Sequence, residues 1–252
     1  MLQSSLLFLS QGAYLIEFER AFGWSRTSIS GAFSILRVES GLLGPLQGWM
    51  IDRFGPRPVM MIGVLGYGAG FIALGQIQTL WHLYLAFGFL AIGASMAGFL
   101  TTHTAIAHWF IRKRARAMSL SSMGFAAGAL IAPIVAWSLL TFGWRETAVG
   151  SGILVLIVGL PASTFFRRAP ERYGLLPDGD TPEQVEARRQ RNVASQTFVA
   201  DEIDFTVKEA IRDRSFWLIS IGHGMALLVV ATLPVHLVPY LVDQNGWNPA
   251  AT

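Results

Sequence analysis

Charge is scarce in this chain, so the places where it interrupts apolar sequence stand out. Arg37 and Glu39 fall inside the run Thr27 to Ile51, His103 inside Leu80 to Phe110, and His223 inside Phe216 to Val242. Each side chain carries a definite chemistry. An arginine fork offers two parallel N–H donors and a fixed positive charge to a carboxylate. A glutamate whose burial raises its proton affinity can take up and release a proton. A histidine titrates near neutral pH and can relay protons or bind an anion. Residues two apart on a helix do not face each other, so Arg37 and Glu39 need separate partners or water. The alternative roles are structural: Arg37 paired with Glu17 or Glu19 or reaching for the surface, and Glu39, His103 and His223 as hydrogen-bonded ties between helices. Thr101, Thr102 and Thr104 crowd around His103, whereas His82, His108 and His236 lie nearer the ends of their runs.

Other chemistries find no footing. There is no cysteine, which excludes a disulfide framework and a thiolate metal site. Gly66, Gly68 and Gly70 do not form a nucleotide loop, because no strand precedes them and no charge surrounds them. No P-loop, metal cluster or catalytic triad is visible, so the expectation is a protein that is not an enzyme and needs no cofactor or metal.

The elements that must hold these residues are set by their solvent. The 252 residues are 52% hydrophobic and 14% charged, with a mean hydropathy of +0.47. Between Arg57 and Arg112 there is no Asp, Glu, Lys or Arg. At about 20 residues per crossing that interval holds two membrane spans. Backbone in hydrocarbon must satisfy its own hydrogen bonds, and the apolar runs are too long for barrel strands, so helices follow. Seven are expected: Met1 to Phe18, Thr27 to Ile51, Pro58 to Ile77, Leu80 to Phe110, Ala117 to Leu140, Thr147 to Phe166 and Phe216 to Val242. The fold class is an all-α membrane bundle.

Direction follows from Lys and Arg, which favour the cytoplasmic side. Arg53 and Arg57 follow the second span, Arg112, Lys113, Arg114 and Arg116 follow the fourth, and nine more lie from Arg167 to Arg214 after the sixth. The opposite loops hold only Arg20, Arg26 and Arg145. The even-numbered loops and the N-terminus are therefore expected in the cytoplasm. The net charge of +3 and pI near 9.6 come from these loops, and no nucleic-acid partner is expected. Met1 is followed by neither a basic stretch nor a cleavage pattern, so direct entry into the membrane is expected. The pairs Gly23-Trp24, Gly48-Trp49, Gly143-Trp144 and Gly246-Trp247 fall near span ends, where Trp prefers the interface.

Three segments result: a six-helix unit over 1–166, a cytoplasmic linker over 167–213, and a seventh helix with its following turn over 214–252. Phe205, Val207, Ala210 and Ile211 are spaced for a short amphipathic helix just before that seventh span. The turn Phe22-Gly-Trp-Ser-Arg-Thr after the first span is echoed by Asn245-Gly-Trp-Asn-Pro-Ala after the seventh, as a parallel repeat of two halves requires. The chain reaches Thr252 where an eighth span is due. The expectation is thus an incomplete twelve-helix arrangement that lacks most of its C-terminal half and does not transport by itself.

Between the second and third spans stands Gly48-Trp-Met-Ile-Asp52-Arg53-Phe-Gly55-Pro-Arg57. It resembles the signature of the major facilitator superfamily, with every defining position filled. Gly48 suits close helix approach and Gly55 a tight reversal. The resemblance implies that Asp52 is the acid of a cytoplasmic latch between the two halves, with Arg53 and Arg57 its basic companions. Gly41 and Gly44 beside Gly48, and Gly124 with Gly128, form further small-residue faces read as packing surfaces.

A narrower resemblance rests on Phe22-Gly-Trp-Ser-Arg26, Trp109-Phe-x-Arg-Lys-Arg and Ala169-Pro-Glu-Arg-Tyr-Gly-Leu-Leu-Pro-Asp-Gly179. These look like bacterial relatives of the monocarboxylate and oxalate/formate porters. The resemblance implies secondary active transport of a small organic anion by alternating access, with a proton or a counter-anion, in a multi-pass protein of the inner membrane. The partners implied are the lipid bilayer, the solute and the C-terminal half. The rival from another class is a transport-inactive membrane sensor built on the same bundle.

Overall fold

The structure, a computed structural model, describes residue 6, residues 11–187 and residues 206–226. Two compact units divide the chain, residues 1–187 and 188–252. Among the described residues every regular element is helical.

The first unit holds α1 (Gln11–Phe22), α2 (Arg26–Phe54), α3 (Pro56–Gly75), α4 (Leu80–Met96), α5 (Phe99–Trp109), α6 (Arg114–Ala127), α7 (Ala132–Phe142) and α8 (Trp144–Thr164). Local chemistry sets the boundaries. Ser25 is extended (φ −66°, ψ 145°) and its hydroxyl accepts the Ser28 N–H, which starts α2. Thr79 does the same for α4 through the His82 N–H. Gly55 ends α2 at φ +91°, donating its N–H to the Ile51 carbonyl at 2.8 Å, and Pro56 opens α3 in the first-turn position that needs no N–H.

Among the described residues, three helical stretches are long and apolar enough to cross a membrane: Pro56–Gly75, Leu80–Trp109 (α4 and α5 together) and Trp144–Thr164. The 20 residues of α3 reach about 30 Å, the depth of a hydrocarbon core. The 29-residue α2 is longer still but carries Arg37 and Glu39 in its middle.

Spans four and five, expected as single helices, are each broken. The fourth parts at Ala97 and Gly98 into α4 and α5. Gly98 is extended there (ψ −155°), and a Cβ on it would collide with the Ala94 carbonyl. The fifth parts at a 3-10 turn, Gly128–Leu130, and Pro133 falls in the first turn of α7, where its missing N–H costs nothing.

At the centre α3 is packed by α4 on one side and α8 on the other, while α2 leans on α4. Phe71, Leu74, Leu83, Phe87, Leu90 and Ala148 are fully buried between them. Backbones touch along both seams. A Cβ on Gly93 of α4 would strike the Tyr67 backbone of α3, and one on Gly152 of α8 would come 2.7 Å from the Gly68 carbonyl. A Cβ on Gly44, Gly48 or Gly124, by contrast, meets nothing within 4 Å among the described residues. The close seams run along α3, where it meets α4 and α8. The outward faces are apolar, with Trp81, Leu85 and Phe89 on α4 and Ile153 and Ile157 on α8 exposed. Such exposed greasy faces suit lipid.

In the second unit α9 (Val207–Arg212) begins with a reciprocal capping box. The Thr206 hydroxyl accepts the Glu209 N–H while the Glu209 carboxylate accepts the Thr206 N–H. Residues 214–226 form a further helix, α10, with Phe216, Trp217, Leu218 and Ile219 exposed. The Trp217 Nε1 donates to the Ile211 carbonyl at 2.8 Å, so the two helices meet at a tight corner. The rest of the expected seventh span, His236 and Gly246-Trp247 lie outside the described residues.

Candidate functional site

The helix backbone of α2 runs unbroken through Arg37 and Glu39, whose side chains lie outside the described residues. Counting from Asp52, Arg37 sits about 22 Å along the helix axis. The two carboxylates considered as alternative partners for Arg37 are engaged by other cations. Glu17 meets Arg20 at 3.2 Å and Glu19 meets Arg26 at 3.0 Å.

His103 is half-buried on α5, its ring stacked on Phe99 with centroids 3.5 Å apart. Its Nδ1 lies 2.9 Å from the Phe99 carbonyl oxygen. A carbonyl can only accept, so Nδ1 carries the proton and Nε2 is the basic atom. His108, one turn on, repeats the arrangement with the Thr104 carbonyl at 2.7 Å. His223 is exposed on α10 in the second unit. His103 and His223 belong to different units.

A polar knot closes the break in the fourth span. Thr101 is fully buried and Gln47 nearly so. The Gln47 Nε2 donates to the Ser95 carbonyl at 2.7 Å and to the Thr101 hydroxyl at 3.0 Å, and its Oε1 accepts the Ser95 hydroxyl at 3.1 Å. Thr101 in turn donates to the Met96 carbonyl at 2.7 Å. Interrupting a helix orphans the last carbonyls of its first part. Side chains from α2 and α5 satisfy them, so Thr101, grouped with His103 in the sequence, is a structural tie.

The signature loop forms the rim at one end of the bundle. Asp52, Arg53 and Arg57 are exposed, and no ion pair joins the carboxylate to either arginine. Arg53 lies over the rings of Trp49 and Phe54, 5.8 and 6.0 Å from their centroids. The Arg168 guanidinium reaches across from the segment after α8 and donates to the carbonyls of Asp52 and Arg53. It thereby closes the C-terminus of α2 with positive charge. Ile51, Asp52, Pro56, Thr104, His108 and Arg168 line a cleft of about 170 Å³ here.

The same segment grips the loop between α5 and α6. Asp178, buried and in a left-handed conformation (φ 63°), accepts the N–H groups of Arg112 and Lys113 at 2.8 and 3.0 Å. Burial works against its negative charge. The amides of Arg112, Lys113 and Ile111 and the nearby Arg112 charge outweigh that and hold its carboxyl below the usual value. At the opposite end Arg145 donates to the carbonyls of Gly75 and Ile77 at 3.0 and 3.1 Å and lies 4.4 Å over the Trp144 ring.

The chain, with the signature loop at the rim of its first unit, matches the model of the Major Facilitator Superfamily over residues 2–252. The chain belongs to the major facilitator superfamily. It is 30% identical over 162 residues to monocarboxylate transporter 13 of Bos taurus, covering 63% of this chain and 37% of that protein. It is 25% identical over 222 residues to the oxalate:formate antiporter of Oxalobacter formigenes, covering 84% and 47% respectively. A crystal structure of the peptide transporter POT in complex with alafosfalin superposes with a TM-score of 0.55 at 16% identity, covering 96% of this chain and 49% of that one. That likeness shows the fold. The chain thus spans less than half the length of these relatives. The superfamily is one of multi-pass membrane transporters, not enzymes.

Three side chains that tie the broken span and the rim together escaped the sequence. Gln47 carries no charge and sits one residue before the signature glycine, so nothing marked it. Arg168 and Asp178 were read as linker, yet they bind the rim. A signal existed for Asp178 in the Pro-Asp-Gly turn of the segment Ala169 to Gly179, whose grip on Arg112 and Lys113 is a contact 65 residues away.

Proposed function

We propose that the chain supplies the first half, and the start of the second, of a secondary porter that moves a small organic anion by alternating access. Arg37 binds the carboxylate; it stands in the span that leads to the latch, about 22 Å from Asp52 and so in the outer half of the bilayer when the Asp52 rim faces the cytoplasm. The relatives' names, monocarboxylate transporter and oxalate:formate antiporter, support the substrate class. The observation that carries the reading is Arg37 and Glu39 held mid-helix in α2 while both neighbouring carboxylates are paired elsewhere.

Glu39 or the Nε2 of His103 carries the coupled proton where coupling is to protons; His223 is the candidate from the second unit. The exposed and unpaired Asp52 carboxylate, with Arg53 and Arg57, is the part of the latch that this half provides. The membrane is the inner membrane, with residues 1–166 as the first half, 167–213 as linker on the cytoplasmic side and 214–252 as the start of the second half.

The test is uptake of radiolabelled lactate, formate and oxalate by proteoliposomes of the complete porter. One of these anions is expected to accumulate, and Arg37→Gln is expected to lower kcat/KM about 100-fold while Arg37→Lys retains part of it. Uptake that ignores Arg37→Gln would remove Arg37 from the site. Saturable binding without flux would replace the porter by a sensor.

A further inference from the structure

The segment after α8 is more than a tether. Over twelve residues it makes three separate attachments to the Asp52 rim, each to a different element. Arg168 holds the end of α2 through the Asp52 and Arg53 carbonyls. Arg167 accepts the Trp109 Nε1–H on its carbonyl at 3.0 Å, at the end of α5, and lays its guanidinium 4.7 Å over the Tyr173 ring. Asp178 receives the amides of Arg112 and Lys113 just before α6, and the Lys113 ammonium donates back to the Asp178 carbonyl at 3.2 Å.

These attachments have unequal strength. Arg112 also pairs with Asp180 at 3.2 Å, but that arginine is half-exposed and such pairs contribute little. The Asp178 carboxylate is buried and takes two backbone donors at once, which fixes direction as well as distance. The Lys113 amide is a free donor at the residue just before α6, and the Arg112 amide lies one residue earlier in the same turn. Asp178 therefore caps α6 from a segment far along the chain, and Gly174 and Gly179, both at positive φ, turn the backbone so that it can.

We propose that residues 167–180 act as a clasp that makes the ends of α2, α5, α6 and α8 move as one body, with Asp178 as its positioning residue. The clasp itself stands on contacts within the first unit. Its role in turnover rests on the transport reading above: a rocking half must carry its rim with it, and a loose α5–α6 loop would spend the motion on local bending. The charged groups facing Asp178 are Arg112 and Lys113 from the α5–α6 loop and Asp180 from its own segment.

The test is hydrogen exchange of the Arg112 and Lys113 amides in the full chain in detergent micelles, with protection referred to the intrinsic rate at each pH. In the parent these amides are protected at neutral pH and lose protection as acid protonates Asp178. In Asp178→Asn protection is expected about 10-fold lower at neutral pH and flat with pH, while Asp180→Ala changes it little and α3 and α8 keep theirs. Equal protection in Asp178→Asn and parent would dissolve the clasp.

In the complete porter, Asp178→Asn is expected to lower kcat about fivefold with KM unchanged. Faster exchange with unaltered kcat would reduce the clasp to a structural tie and overturn its role in turnover. Should the parent take up no anion while the pH-dependent protection persists, the transport reading falls and the clasp stands.

Discussion

Gly55 and Gly143 hold the same backbone conformation, φ and ψ of 91° and 165° in one and 89° and 167° in the other. Each ends one helix and begins the next, and each donates its N–H to the residue four back, Ile51 at 2.8 Å and Leu139 at 3.2 Å. An arginine follows two residues later in both turns, Arg57 and Arg145. Arg145 spends its guanidinium on α3, whereas Arg57 stays exposed, so one local design closes a helix at one rim and leaves a charge free at the other.

That region of backbone space is reached almost only by glycine. Gly143→Ala is expected to lower stability by about 1–3 kcal/mol, seen as a lower midpoint in thermal unfolding followed by tryptophan fluorescence. An unchanged midpoint would mean that the turn relaxes without strain.

The knot around Gln47 gives a second expectation. Gln47→Leu removes the Nε2 donor to the Ser95 carbonyl and Thr101 hydroxyl and the Oε1 acceptor of the Ser95 hydroxyl, and should cost about 1–3 kcal/mol in a denaturant titration. Thr101→Val should cost less, and the double variant should cost less than the sum, because the two side chains share one network. Strict additivity would separate them.

Packing along α3 predicts a contrast between glycines. Gly152→Val must push α8 away from the Gly68 carbonyl and is expected to destabilise by about 1–3 kcal/mol. Gly124→Ala enters open space on a helix and should be neutral or raise stability by up to about 1 kcal/mol. Equal effects at the two positions would place the tight seam elsewhere.

Acid should act through Asp178. Its folded carboxyl lies below the usual value, so its contribution is fully present above the unfolded value and is lost as pH falls through the folded one. The melting midpoint of the parent is expected to decline across that acid window, and the part of the decline owed to this carboxylate should be missing in Asp178→Asn. Parallel curves for the two proteins would assign the decline to other carboxylates.

Much of this was legible in advance because bilayer and water leave different marks. The charge-free interval from Arg57 to Arg112 identified α3 and the α4–α5 pair, and the signature loop identified the family later matched over residues 2–252. The break at Gly98 was not legible. A hydropathy window sees only apolar character, and the Ser95 carbonyl freed there is met by Gln47, 48 residues earlier, while Thr101 meets the Met96 carbonyl. For the same reason Gly93 and Gly152 gave no warning: a glycine in an apolar run looks alike whether it faces a backbone or lipid. The side chains of Arg37 and Glu39, though conspicuous in sequence, depend on surroundings that no pattern of neighbours along the chain can specify.

Because α3 meets α4 and α8 backbone to backbone at Gly93 and Gly152, it acts as a spine that its two neighbours hold closely. Bilayers of different thickness must then be accommodated by the α6–α7 arm, whose 3-10 turn at Gly128–Leu130 lets its two parts tilt separately. The lipid a cell supplies would thus be felt first in that arm, and only afterwards by the spine.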